Sequence, residues 1–206
     1  MLNIRFKGII KNEEEIKKNS KLYENSVMFK EEETIKEHIK KSEKITLITV
    51  AIIMISALVI AELKNIELEF HLTDIAVGIL MIIPLILIFE IILVLTYPLN
   101  ADKDIYIIPK NLAVLLVSNS LVSKKRFILT SLIPIIILEI IPFLISLITM
   151  GNVPLIITRL LLLMSIVSCI ITPTNYINIY NTIKQVPNGG KVFNYGVHSY
   201  WVSNKN

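Results

Sequence analysis

The chain has 206 residues, 53% of them apolar, with a mean hydropathy of +0.65 and a formal charge of +4. That apolar content is well above what a soluble globular domain carries, and no basic stripe interleaved with aromatics suggests a nucleic-acid surface. The single cysteine, Cys169, excludes a disulfide within the chain and argues against a Cys-based zinc site.

Residues 1–44 hold eleven Lys/Arg and nine Asp/Glu, with no short apolar core followed by a small-residue cleavage site. A signal peptide is therefore not expected, and the first apolar block must direct insertion. From Glu31 to Lys44 the mixed charges predict a solvated helix, with Ile35, Ile39 and Val27 as a thin apolar stripe.

Four apolar blocks follow: Ile45 to Ala61, Ile75 to Tyr97, Phe127 to Met150, and Val153 to Ile171, the last extending as a span to about 173. A helix needs about 20 residues to cross the hydrocarbon layer, with about 17 near the lower limit. Backbone groups in lipid must bond to one another, so helices are expected. Pro84, Pro134 and Pro142 are expected to kink two of them.

Charge asymmetry orients the bundle. The loop after the first block has Lys64 against Glu62, Glu67, Glu69 and Asp74, whereas loop 98–126 has Lys103, Lys110, Lys124, Lys125 and Arg126. The Gly151–Asn152 link has no basic residue, and the tail has Lys184, Lys191 and Lys205. This predicts a multi-pass protein of the cell membrane with both termini and the middle loop cytoplasmic. Within that loop, Asp104 to Val122 carries two β-prone runs around Pro109–Lys110–Asn111, which predicts a β-hairpin. Pro187–Asn188–Gly189–Gly190 predicts a further turn, ahead of Phe193, Tyr195, Tyr200 and Trp201, aromatics suited to a membrane interface.

The expectation is an all-α integral membrane protein of about four spans with one small β-hairpin. Its parts are a charged cytoplasmic segment 1–44, a membrane domain 45–178 and a cytoplasmic tail 179–206.

Three charged residues fall within the apolar blocks. Glu90 is the foremost, since a carboxylate inside a span costs about 2.5–3.5 kcal/mol on insertion scales and by default marks a functional site. Its structural alternative is a protonated carboxyl bonded to a neighbouring backbone group or hydroxyl. Glu139 and Arg159 lie in adjacent blocks, where a structural ion pair is expected and a transport relay is the alternative. The three histidines are scattered: His38 in the charged segment, His71 in the outer loop and His198 in the tail.

Phe89–Glu90–Ile91–Ile92–Leu93 has the spacing of the helical HExxH zinc motif, in which two His one turn apart bind the metal and Glu activates its water. The segments FEIILVLTYPLNADKDIYI, SKKRFILTSLIPIIIL, PTNYINIYNTIKQVP and HSYW occur in that order. They resemble an HExxH helix running into an aromatic–Pro pair and a strand, a basic entry to a Pro-containing third helix, a Gly-Asp-x-x-Asn segment leading to a Pro turn, and an aromatic ending. Over about residues 45–202 the chain thus resembles a bacterial family of zincin-type membrane peptidases, similar in style to the site-2 proteases.

The resemblance implies the fold and a site. It puts Phe89 and Leu93 at the two His positions, Glu90 at the general-base position, Asn175 at the acidic third ligand and Asn178 at a downstream Asn. Catalytic zinc takes three protein ligands and an open position, and all three ligands are replaced here. Zinc, expected in the family, is expected to be absent. The function expected is that of a pseudopeptidase which binds a transmembrane or juxtamembrane peptide or protein. The alternatives are a small transporter or channel component using Glu90, Glu139 and Arg159, and an active metallopeptidase with rearranged ligands. The lipid bilayer is a partner in every case; nucleic acid is not.

Overall fold

The computed structural model describes residues 3–9, 13–18, 20–30, 35–108 and 113–203, with 13, 35–39, 108 and 113 described by backbone alone. In chain order the elements are β1 (Ile4–Ile9), α1 (Glu13–Lys18), β2 (Val27–Met28), α2 (Ile35–Leu63), α3 (Leu72–Thr96), β3 (Lys103–Ile108), β4 (Ala113–Val117), β5 (Val122–Ser123), α4 (Lys124–Ile135), a π-helical segment (Ile136–Ile140), α5 (Ile141–Thr149), α6 (Leu155–Ile171), α7 (Pro173–Gln185), β6 (Lys191–Tyr195) and β7 (His198–Val202).

The expectation of an all-α chain with one hairpin is corrected. Two sheets form, one three-stranded in the order β1-β3-β4 and one four-stranded in the order β2-β7-β6-β5. The strands expected in the middle loop pair antiparallel as β3 and β4, with Tyr106 opposite Leu115, and β1 adds to β3 in parallel. The turn placed at Pro109–Lys110–Asn111 lies outside the described residues. The charged first segment and the tail supply the other strands. Val27, expected on a helical stripe, is in β2 opposite Trp201. Gly190 N–H closes the expected tail turn onto Pro187 O at 3.0 Å, with Gly189 at φ 81°. The hairpin β6–β7 follows.

Three helices are long and apolar enough to cross a membrane: Lys40–Leu63, Leu72–Thr96 and Lys124–Thr149. Only 17%, 17% and 39% of their most apolar windows is buried, so large apolar faces point outward. In the third, the prolines do not break the helix. Pro142 has no N–H and its ring crowds the carbonyl of residue 138; the turn before it widens into the π-helical segment, where Ile141 N–H bonds to Ile136 O. The fourth apolar block is not straight. Helices α6 and α7 meet at a 56° bend where Pro173 ends the first helix and starts the second, and together they are long and apolar enough for one broken span or a re-entrant loop.

Contacts divide the chain into two units. The first comprises 1–33, 90–131 and 178–206, and the second 34–89 and 132–177. The first unit contains both sheets. One core joins Phe29, Tyr97, Ala101, Val122, Phe127, Val186 and Val192, and a smaller one joins Ile16, Tyr106 and Val117. Arg5 Nε donates to the buried Asp104 at 2.6 Å, and this bond holds β1 on β3 and raises the Arg5 pKa. The second unit packs α2, α5 and α6 around Ile53, Ala57, Ala61, Met150, Leu162 and Cys169. Lys64 Nζ donates to Leu147 O at 3.1 Å and Met150 O at 2.8 Å, carbonyls that the end of α5 leaves without helical partners.

Candidate functional site

Helix α3 carries the motif-like stretch. Phe89 and Leu93 are four residues apart and share a face, and both are half-buried. Glu90 lies on the adjoining inward stripe with Val94 and Tyr97, at the i, i+4, i+7 spacing of a buried helix face. Tyr97 is buried just beyond the helix end, and burial raises its phenol pKa above the ordinary value.

Glu90 is 8% exposed, and its buried Oε2 has no hydrogen-bond partner among the described residues. A buried carboxylate oxygen without a donor has lost its hydration and gained nothing in return.

Helix α7 carries the other residues assigned by resemblance. Asn175 is 4% exposed, and its Nδ2 has no partner among the described residues. Asn178 is half-buried, and its backbone carbonyl accepts from Thr182 Oγ1 at 2.6 Å. Asn181, not singled out from the sequence, is 2% exposed with an equally unpartnered Nδ2. Positions 175, 178 and 181 recur every three residues, the spacing of a single helix face, and that repeat was the available signal. Glu90, Leu93, Asn178 and Asn181 belong to the first unit; Phe89 and Asn175 belong to the second.

The expected Glu139–Arg159 pair does not form. Glu139, at the π-helical segment and 4% exposed, accepts from Thr172 Oγ1 at 2.8 Å and from the Tyr176 hydroxyl at 2.5 Å. Its backbone carbonyl accepts from Ser165 Oγ at 2.8 Å. Thr172 and Tyr176 are four residues apart, so the bend at Pro173 presents both hydroxyls to one carboxyl. Arg159 instead pairs with Asp74 at 3.3 Å and donates to Glu69 O at 3.1 Å. Asp74 also accepts the His71 N–H at 2.8 Å, which caps the start of α3. Sequence reading counted Asp74 among the loop charges and so missed the partner.

The residues that the resemblance assigns to zinc do not fit it. Phe89 and Leu93 offer no lone pair, and Asn175 presents a neutral amide. Among the described residues, no group of three or more His, Cys, Asp or Glu could hold a metal ion. His71 starts α3 with its N–H on Asp74, and His198 pairs across the β6–β7 hairpin with Tyr195. The side chain of His38 lies outside the described residues.

Residues 82–190 match the model of a family described as "Putative zincin peptidase". No curated protein and no solved structure matches the chain. The matched stretch takes in Phe89–Leu93, both α4–α5 prolines and all of α7, and it covers more than half of the chain. The chain therefore belongs to this zincin-peptidase family.

Proposed function

We propose that the protein is a non-catalytic member of its family, embedded in the cell membrane, which binds a transmembrane or juxtamembrane peptide or protein. The observation that carries this reading is Glu90, whose buried Oε2 has no donor among the described residues, on a helix that carries Phe89 and Leu93, side chains that cannot hold a metal. A peptide offers what such a site lacks. Its N–H groups can bond to the carboxyl, and its apolar side chains can cover Phe89 and Leu93. The unpartnered amide of Asn181, in the same unit as Glu90, is a donor for a peptide carbonyl.

Membrane insertion rests on the three long apolar helices and their outward-facing Leu and Ile. A cytoplasmic placement of both termini and of loop 98–126 rests on the Lys/Arg asymmetry. The transporter alternative gains no support from Glu139 and Arg159, each of which has partners of its own.

A photo-crosslinking residue placed at 89 or at 93 in native membranes tests the binding role. The same partner captured from both positions, and lost on Glu90→Leu in an otherwise stable protein, is the expected result. Cleavage of transmembrane peptides by the purified protein, lost on Glu90→Gln, would contradict it.

A further inference from the structure

The three-stranded sheet has one covered face and one open face. Pairing places Asp104, Tyr106, Leu115 and Val117 on the first, where the last three pack with Ile16 of α1 and Val197. Pairing places Phe6 beside Ile105 and Leu116, and Ile9 beside Ile107 and Val114, on the second. All six of these side chains are apolar. The sheet's outermost residues on this face stand in the open: Phe6 is 67% exposed, Ile9 65% and Ile4 43%. Lys103, paired with Ile4 on this face, is fully buried with its Nζ bonded to Pro98 O, so the paired residues that the face leaves exposed, Ile4, Phe6 and Ile9, are all apolar, where a wet sheet face carries polar residues.

What covers the open face follows from where it begins. Leu116 packs against the cluster that holds Tyr97 and Phe127. Tyr97 is the residue after α3, and Phe127 lies in the first turn of α4. The apolar face is thus continuous, within one unit, with the ends of two helices long and apolar enough to span. We infer that the sheet β1-β3-β4 lies on the bilayer with Ile4, Phe6, Ile9, Ile107 and Val114 in the headgroup–acyl boundary. It is then a second membrane contact beside the spans, about 5–10 Å deep as for other interfacial elements. The inference rests on the membrane reading proposed above.

The full chain, with Cys169→Ser, is placed in nanodiscs of phosphatidylcholine and phosphatidylglycerol. Single cysteines at Phe6, Ile9, Lys18 and Ile83 carry an environment-sensitive dye. Lys18 is exposed on α1, which packs on the covered face, and Ile83 is 70% exposed on α3. Phe6 and Ile9 are themselves exposed, so replacing either leaves the cores in place. Adding lipids that bear a shallow or a deep quencher should dim positions 6 and 9 mainly with the shallow one and position 83 mainly with the deep one, with no change at 18. Quenching at 83 without quenching at 6 and 9 overturns the inference and leaves the membrane reading standing. No quenching at 83 overturns both. Shielding at 6 and 9 that grows with protein concentration and ignores both quenchers assigns the face to a second copy, and also overturns it.

Discussion

Replacing Arg159 with Gln tests the pairing in the second unit. Arg159 Nη1 lies 3.3 Å from Asp74 Oδ2, and the two side chains are 14% and 5% exposed. Breaking a buried pair leaves the remaining charge uncompensated, at about 3–5 kcal/mol when both partners are fully enclosed. The residual exposure of Arg159 and the N–H that Asp74 keeps from His71 place the expected loss at the lower end, about 3 kcal/mol. For a chain of this size that is about 6–12 °C in Tm. Cys169 supplies the assay. It is the single cysteine and is 1% exposed in the same unit, so a thiol-reactive dye reports its exposure on heating in detergent. Asp74→Asn should cost a similar amount, and the double variant should fall short of the sum by about 1–2 kcal/mol, as contacting residues do. Glu139→Gln combined with Arg159→Gln should be additive, because the two have separate partners. Additive losses for 74 with 159, or coupled losses for 139 with 159, would refute this assignment.

Three further outcomes follow from particular contacts. Tyr176→Phe removes a 2.5 Å bond to a buried carboxyl and should cost about 1.5–3 kcal/mol in the same thiol assay, while Tyr180→Phe, at an exposed position, should cost little. Lys103, whose Nζ donates to Pro98 O at 2.8 Å, is fully buried, and burial lowers its pKa. The unfolded chain then binds more protons than the folded one between that lowered value and the ordinary lysine value. The Lys103 contribution to stability should therefore rise with pH across this alkaline window; the pH dependence of Trp201 fluorescence, wild type minus Lys103→Met, measures it, and a flat difference would contradict it. In intact cells, with Cys169→Ser, an impermeant thiol reagent should label cysteines at 65 and 152 but not at 111 or 188; the reverse pattern would invert the proposed orientation.

The helices were legible because a 20-residue apolar run has few other uses. Glu90 was legible for the related reason that a charge inside such a run is costly. The sheets were half legible. The alternation in Asp104–Val122 was visible, but Ile4–Ile9 has the same period-two pattern and was hidden by the charges around it. Its partner β3 lies about a hundred residues away, and local pattern carries no information about such pairing. The partner of Arg159 was missed for the same reason. Depth in the sequence pointed to Glu139, whereas the fold turns that residue toward Thr172 and Tyr176 through a π-helical turn and a 56° bend that no periodicity forecasts.

The proposal that the chain holds no zinc is tested most directly by the zinc content of the protein, purified at near-neutral pH from cells grown with zinc. The account predicts far less than one zinc per chain for the natural sequence, and little gain for Phe89→His/Leu93→His, because two imidazoles without a third protein ligand hold zinc weakly. One zinc per chain in the natural protein, lost on Glu90→Gln, would contradict it.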